Sequence, residues 1–203
     1  MIPFLVAFAG PSGSGKSSLA RAIRDALPDD ECAMFSLDSY YRDLAHLDEA
    51  ARATVNFDHP EALDAERFLH DLDALRAGLT IEVPEYDFTT HTRGPRGRRL
   101  QPKPLILVEG IFAFAWPGAA TRFDLKVYIE LAAETCLIRR MARDVRERGR
   151  DEEEVRTRFE THVRPSLDLF VEPQRHTCDL VLSGASDLDE MTRTCLGLLP
   201  RLK

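Results

Sequence analysis

Residues 10–18 constrain the fold of this chain more than any other segment. They run Gly-Pro-Ser-Gly-Ser-Gly-Lys-Ser-Ser and directly follow an apolar run at residues 2–9. The pattern G-x-x-x-x-G-K-[ST] is typical of a loop that joins a buried strand to a helix and directs backbone N–H groups at a phosphate. A flexible Gly/Ser turn without a ligand is the alternative, and the apolar patterns on both sides of the loop disfavour it.

The loop predicts a nucleoside triphosphate and Mg²⁺ as ligands. Lys16 is placed to reach the β- and γ-phosphates, and the hydroxyl of Ser17 is placed to bind Mg²⁺. The residues expected to contact the nucleotide are Gly10, Ser12, Gly13, Ser14, Gly15, Lys16, Ser17 and Ser18.

Length and composition limit the classes of partner. The 203 residues suit one domain over 1–203, and the net charge of −7 argues against nucleic acid or an anionic membrane as the main partner. The four cysteines form no C-x-x-C pair, so neither a zinc site nor a redox motif is expected. No apolar stretch reaches the roughly 18 residues of a membrane span, and the N-terminus lacks the basic region of a signal peptide. We therefore expect a cytoplasmic protein.

Alternating strand-like and helix-like patterns predict an α/β fold. Apolar runs predict five strands, at residues 3–9, 32–37, 105–109, 124–130 and 178–183. Helical periodicity predicts five helices, at residues 16–27, 61–77, 132–148, 151–172 and 187–199. The alternation favours three layers, with a five-stranded parallel sheet between helices on both faces. Residues 79–104 interrupt it and are predicted to form a β-hairpin that projects from the sheet.

Two carboxylates follow predicted strands. Glu109 ends the strand 105–109, where a carboxylate suits Mg²⁺ binding jointly with Ser17; a solvated loop glutamate is the alternative. Asp38 follows the strand 32–37, and ligands of open α/β sheets bind at the carboxyl ends of strands. Asp38 is therefore suited to accept a proton from an attacking hydroxyl, but a helix cap or an Asx-turn explains it equally well.

Arginine is concentrated at residues 139–150, where it occupies six of twelve positions. Its planar guanidinium forms paired hydrogen bonds to phosphoryl oxygens and stays charged. Residues 139–151 are therefore predicted to form a lid that closes over phosphates. A solvated helix whose arginines pair with Asp144, Glu147 and Asp151 is the alternative.

Aromatic residues and carboxylates share two loop segments, 56–60 and 84–88. The candidates for an apolar wall against a nucleobase are Phe57, Tyr86 and Phe88. Asp58 is a candidate ribose ligand. Taken alone, each segment is explained better by helix capping or core packing. His91 lies at the tip of the predicted hairpin and, taken alone, is interpreted as a surface residue.

Together these segments resemble the uridine–cytidine kinase family of P-loop nucleoside kinases. The matching segments, in family order, are GPSGSGKSS, LDSYYR, NFDHPEAL, VPEYDFTTHTR, ILVEGI, DLKVYI, RRMARDVRERGRD and VRPSLDLFVEP. They cover nearly the whole chain at near-family spacing. The resemblance implies the three-layer P-loop kinase fold, with a small-molecule nucleoside as partner. It also implies transfer of the γ-phosphate of ATP or GTP to the 5′-hydroxyl of uridine or cytidine and, as a family trait, assembly into a homotetramer.

The resemblance also implies roles for individual residues. Asp38 is the base for the 5′-hydroxyl and lies near the Mg²⁺ that Ser17 and Glu109 bind, while Lys16 holds the phosphates. Of the other residues, Asp58 and Arg140 are implied to bind ribose, Tyr86 and His91 to contact the base, and Arg143, Arg148 and Arg150 to reach in from the lid.

One position departs from the family pattern. Arg158 stands where the family usually carries Gln close to the nucleoside. Its longer side chain either crowds the site, turns outward or binds an anionic group. An anionic acceptor would favour a phosphoribulokinase-like or pantothenate-kinase-like enzyme, to which Arg96, Arg98 and Arg99 would contribute. A nucleotide-dependent switch is disfavoured, because the guanine-binding segment N-K-x-D is missing and Asp38 is retained.

Overall fold

The structure is a computed structural model that describes residues 2–148 and 151–200. The strands are β1 (Phe4–Ala9), β2 (Cys32–Ser36), β3 (Ile81–Val83), β4 (Tyr86–Asp87), β5 (Thr92–Arg93), β6 (Arg98–Leu100), β7 (Leu105–Glu109), β8 (Leu125–Glu130) and β9 (Leu180–Ser183). The helices are α1 (Lys16–Asp25), α2 (Glu49–Ala53), α3 (Ala65–Arg76), α4 (Ala133–Arg148), α5 (Glu152–Arg158), α6 (Arg164–Ser166) and α7 (Leu188–Leu198). Two π-helical turns (Phe159–Val163 and Leu167–Val171) flank α6, and a 3₁₀ turn (Glu172–His176) follows the second of them.

The core of the fold is a five-stranded parallel sheet in the order β2, β7, β1, β8, β9. The central strand β1 and its neighbour β7 are almost wholly buried, because helices cover both faces of the sheet. Helices α1 and α7 cover one face, through residues such as Ile23 and Met191. Helix α3 and the segment after α5 cover the other, through Leu72 and Val171. The predicted three-layer α/β fold is confirmed.

The order of the strands brings the candidate site together. The phosphate loop follows β1, Asp38 follows β2, and Glu109 ends β7. These three strands are adjacent and parallel, so their carboxyl ends lie at one edge of the sheet.

The element boundaries differ from the sequence prediction mainly at helices. The strands of the main sheet agree with their predicted bounds to within two residues. The helix predicted from residue 61 begins instead at Ala65, because Asp64 caps it by accepting a hydrogen bond from the backbone N–H of Arg67 at 3.2 Å. The helix predicted at 151–172 is divided by the two π-helical turns, and α2 was not predicted.

The predicted hairpin forms between residues 81 and 100. Strand β3 pairs with β6 and β4 pairs with β5, both antiparallel, and neither ladder belongs to the main sheet. Gly97 permits the close approach of the two outer strands, since a Cβ at this position would lie 2.6 Å from the carbonyl oxygen of Val83. The tip of the hairpin carries His91, at a φ of 55°.

Helix α4 carries most of the arginine-rich run over its 16 residues. The helix break predicted at Gly149 and the position of Arg150 fall outside the described residues, as does the side chain of Arg148. Within residues 2–148 and 151–200, no helix combines the length and apolar character needed to cross a membrane.

Candidate active site

The phosphate loop joins β1 to α1 through left-handed backbone. Gly10 has a φ of 134°, and a Cβ there would collide with the carbonyl oxygen of Ile129 in β8. Gly15, at a φ of 103°, precedes the first residue of α1, and no described side chain caps that helix end. The N-terminal N–H groups of α1 therefore face the loop with their partial positive charge, which suits an anion.

Six of the eight expected nucleotide-binding residues surround one cavity. Those that line it are Ser12, Gly13, Gly15, Lys16, Ser17 and Ser18, together with Arg21, Asp38, Glu109, Gly110, Ile111 and Arg143. Gly10 and Ser14 do not line the cavity. Gly10 packs against Ile129, and the Ser14 hydroxyl is buried without a hydrogen-bond partner among the described residues.

Lys16 is a buried cation at the base of this cavity. Its Nζ donates a hydrogen bond to the carbonyl oxygen of Pro11 at 2.7 Å. Burial lowers the pKa of Lys16, while the carboxylates of Glu109 and Asp38 act in the opposite direction. A polyphosphate in the cavity would add negative charge next to this ammonium and favour its charged form.

The donor set beside the loop fits Mg²⁺. Ser17 donates a hydrogen bond from its hydroxyl to Oε2 of Glu109 at 2.9 Å, and Glu109 is buried. The described residues contain no group of three or more His, Cys, Asp or Glu side chains suited to a metal ion. Mg²⁺ does not need such a group, because it commonly takes one or two protein oxygens and completes its shell with phosphate and water oxygens. Ser17 and Glu109 supply oxygens of this type.

Asp38 lies in a 3₁₀ turn over residues 37–40 that follows β2. The cap of this turn is Ser36, whose side chain accepts a hydrogen bond from the backbone N–H of Asp38 at 3.2 Å. The capping role that the sequence left open for Asp38 is therefore wrong. Gly110 makes room for the turn, since a Cβ there would lie 2.5 Å from Cβ of Leu37.

A second cavity, a cleft open to solvent, adjoins the phosphate cavity. It is lined by Ser12, Asp38, Tyr41, Val55, Phe57, Asp58, Phe88, His91, Ile111, Arg140, Arg143, Arg158 and His162. Four residues line both cavities, namely Ser12, Asp38, Ile111 and Arg143. The Asp38 side chain is thus placed between a phosphate site and a second, mixed aromatic and polar site.

The aromatic side of the cleft is formed by stacked and tilted rings. The imidazole of His91 stacks on Phe57, and Tyr86 lies behind them with its hydroxyl 3.5 Å from Nδ1 of His91. Phe57 and Phe88 line the cleft as predicted for an aromatic wall, whereas Tyr86 packs against Tyr41 and Phe88. Burial raises the pKa of Tyr86 to about 12, so its hydroxyl remains a donor at neutral pH. His91 is half-buried and lies on the wall of this open cleft.

The two residues implied to bind ribose are paired with each other. Arg140 donates to both carboxylate oxygens of Asp58, at 3.1 and 3.3 Å, and the two side chains are only 8% and 14% exposed. The Pro60–Ala62 turn is capped by His59 rather than by Asp58, so the capping explanation for Asp58 is wrong. The free lone pairs of this carboxylate remain available to hydroxyl donors in the cleft.

Two arginines of α4, Arg139 and Arg143, are held in place by hydrogen bonds to the protein. Arg143 lines both cavities and donates from Nε to Asp144 at 2.9 Å. Arg139 donates to the carbonyl oxygens of Gly13 and Gly184, both at 3.1 Å, and so fixes the phosphate loop from outside. The first half of the predicted lid is thus a helix anchored on the loop.

Arg158 extends into the cleft. It forms an ion pair with Glu154, one helical turn earlier, at 3.6 Å, and its side chain is 21% exposed. The outward orientation considered from the sequence is wrong.

Residues 5–189 match the sequence profile of the Phosphoribulokinase / Uridine kinase family. The chain belongs to this family. It is therefore a phosphotransferase that acts on a hydroxyl group and uses a nucleotide as phosphate donor.

Two relatives are similar to this chain over most of their own length. A uridine kinase from Chloroflexus aurantiacus is 42% identical over 182 residues, which cover 90% of this chain and 87% of that protein. A uridine kinase from Staphylococcus epidermidis is 36% identical over 201 residues, 97% of each chain.

Solved structures of other kinases share the fold. A D-glycerate 3-kinase from Cryptococcus neoformans superimposes with a TM-score of 0.66 at 15% identity, over 92% of this chain and 88% of that chain. A phosphoribulokinase from Rhodobacter spheroides gives a TM-score of 0.63 at 16% identity, over 94% and 74% of the two chains.

Several residues of the cleft were not found from the sequence. His162 lies one helical turn after Arg158, a spacing that could have indicated a shared face. Tyr41 follows Asp38 in the same short segment, whereas Val55 belongs to no motif. Conversely, Arg96, Arg98 and Arg99, considered for a phosphorylated acceptor, are not among the described residues that line the cleft.

Proposed function

We propose that the protein is a uridine/cytidine kinase that transfers the γ-phosphate of ATP or GTP to the nucleoside 5′-hydroxyl with the aid of Mg²⁺. The family and the names of the relatives support a nucleoside acceptor. One observation carries the proposal: Asp38 lines both the phosphate cavity and the adjoining cleft. A general base for an attacking hydroxyl must lie where the acceptor site meets the phosphate site, because the hydroxyl attacks the γ-phosphorus there.

The cleft provides complementary surfaces for a nucleoside. The stacked pair of Phe57 and His91 offers an apolar face for a pyrimidine, with Tyr86 and Phe88 packed around it. The Asp58–Arg140 pair lies on the same cleft and offers an acceptor for ribose hydroxyl groups. In this arrangement the base lies under the hairpin, and the 5′-hydroxyl extends to Asp38.

The proposed reaction is in-line phosphoryl transfer. Asp38 accepts the proton of the 5′-hydroxyl while the hydroxyl oxygen forms a bond to the γ-phosphorus and the bond to the bridging oxygen of the diphosphate breaks. Lys16 and Arg143 stabilise the negative charge that spreads over the transferred group, a role that the family resemblance also implies for Arg148 and Arg150. Mg²⁺, when held by Ser17 and Glu109, supplies further neutralisation of the phosphate oxygens.

A coupled assay of ADP release tests this function directly. Uridine and cytidine are expected to give turnover, and mass spectrometry is expected to identify the 5′-monophosphates as products. Ribulose 5-phosphate and pantothenate serve as alternative acceptors. Turnover with one of these, without turnover on either nucleoside, would contradict the proposal.

A further inference from the structure

Arg93 connects the hairpin to other elements through hydrogen bonds from all three nitrogens of its guanidinium. Its Nε donates to the carbonyl oxygen of Tyr41 at 2.8 Å, and its Nη2 donates to that of Tyr40 at 3.0 Å. Its Nη1 donates to Oδ2 of Asp64 at 3.2 Å, and the arginine side chain is 17% exposed. A planar guanidinium holds three acceptors in fixed directions, which a flexible ammonium cannot reproduce.

Two of the three acceptors are carbonyl groups at the end of the turn that carries Asp38. Tyr40 is the last residue of this 3₁₀ turn and Tyr41 follows it, so the two carbonyl groups lie at the helix end that lacks internal partners. The other end of the turn is fixed by Ser36. Arg93 thereby fixes the end of the turn that leads away from the sheet, together with the backbone N–H of Asp64, which also donates to the carbonyl oxygen of Tyr40 at 2.8 Å.

Arg93 itself belongs to the strand that supports the aromatic side of the cleft. In the β4–β5 ladder it is the direct partner of Tyr86, and it lies two residues after His91. Its backbone N–H donates to the carboxylate of Asp43 at 3.2 Å, which joins the same strand to the chain just after the Asp38 turn.

We infer that Arg93 is a positioning residue that couples the base-binding hairpin to the turn holding Asp38. The inference rests on the proposed function, in which the hairpin contacts the nucleobase and Asp38 receives the proton. A base must lie within hydrogen-bond reach of the hydroxyl, and a displacement of about 1 Å can lower the rate on the order of 100-fold. Arg93 holds the hairpin and the Asp38 turn at a fixed distance from each other. The 5′-hydroxyl of a nucleoside whose nucleobase is bound at the hairpin therefore stays within reach of the Asp38 carboxylate.

Substitutions of Arg93 separate positioning from folding. We expect Arg93→Gln to lower kcat for uridine on the order of 10- to 100-fold and to leave the KM for ATP unchanged. Arg93→Lys keeps the charge but not the three-way geometry, so an intermediate kcat is expected. Arg98→Gln is the matched control, because Arg98 also lies on the hairpin and donates to a backbone carbonyl, but to that of Met34 in β2 at 3.1 Å rather than to one in the turn. It is expected to behave as wild type.

A double-mutant cycle with Asp38→Asn gives the decisive measurement. If Arg93 acts through Asp38, Arg93→Gln lowers kcat much less in the Asp38→Asn background than in the wild type. An equal fold-loss in both backgrounds overturns the inference. If thermal unfolding shows that Arg93→Gln does not fold, Arg93→Lys takes its place in the same cycle. A wild type inactive on uridine and cytidine overturns the proposed function as well, whereas an active wild type with an additive cycle overturns the role of Arg93 alone.

Discussion

The imidazole of His91 lies parallel to the ring of Phe57, with ring centroids 4.1 Å apart and an interplanar angle of 17°. The two residues come from different parts of the chain, the hairpin tip and the loop before α3. Both line the cleft, so the stacked pair forms part of the wall that an incoming base would contact.

Replacing His91 with Ala is expected to raise the KM for uridine about 2- to 30-fold, with a smaller effect on kcat. The variant loses the ring contact with Phe57 and a polar group at the base site, contributions of roughly 0.5–2 kcal/mol together. Steady-state kinetics with varied uridine measures the change. Thr89→Ala, on the same turn, is the control. An unchanged KM for uridine would exclude His91 from the base site.

Asp38→Asn is expected to lower kcat by a factor on the order of 10² to 10⁴, because the amide keeps the shape of the side chain but accepts no proton. The KM for ATP is expected to change little. Single-turnover kinetics separates this loss from slow product release, and Asp30→Asn, in an exposed turn, controls for charge. A nearly normal kcat in Asp38→Asn would remove the carboxylate from the catalytic role.

Arg158→Gln is expected to leave turnover intact or to lower the KM for uridine. Arg158 is paired with Glu154 and occupies space at the cleft, so a shorter neutral side chain gives the nucleoside more room. Isothermal titration with uridine measures the affinity, and Arg156→Gln, on the solvent side of the same helix, is the control. Loss of uridine binding would instead identify Arg158 as a ligand of the substrate.

Lys16→Met is expected to abolish transfer and yet raise the free energy of unfolding, by on the order of 1 kcal/mol, because it removes a buried cation. Burial lowers the pKa of Lys16, so the folded protein binds this proton less tightly than the unfolded chain does. Titration of Lys16 therefore makes the free energy of unfolding rise with pH, between the lowered pKa of the folded protein and the ordinary value of 10.5.

Thermal unfolding of wild type and Lys16→Met at several pH values measures this difference, with Lys103→Met as a control outside both cavities. The stability gain of Lys16→Met over the wild type is expected to shrink as the pH approaches 10.5. ATP is expected to stabilise the wild type more than the variant. A variant less stable than the wild type at neutral pH would contradict the effect assigned to burial.

The sequence predicted the main sheet well because its signal is local. A strand such as β7 is buried on both faces and therefore appears as an uninterrupted apolar run that ends in Glu109. The phosphate loop is equally local, since its glycines and Lys16 act within one turn. The start of α3 was less predictable. The 3₁₀ turn at residues 60–62 and the cap at Asp64 fall within the same helical periodicity, so the periodicity does not show where the helix begins.

The pairings that complete the site join distant parts of the chain. Asp58 and Arg140 are 82 positions apart, and Arg139 and Gly13 are 126 positions apart. Such pairings depend on how α4 and the loops pack against the sheet, for which a single sequence carries no periodic signal. The resemblance suggested that Asp58 and Arg140 serve one ligand, but their direct ion pair is visible only in the folded chain.

The wall shared by the two cavities has a consequence for inhibition. On the proposed function, a single compound that joins a pyrimidine nucleoside to a purine nucleoside through a polyphosphate bridge would place the pyrimidine in the cleft and the polyphosphate in the phosphate cavity, and would pass over Asp38 and Arg143. Once one half is bound, the other binds at a high effective concentration, so the linked compound would bind more tightly than either half. Among compounds with bridges of different length, the one that binds most tightly would show how far apart the donor and the acceptor lie when both are bound.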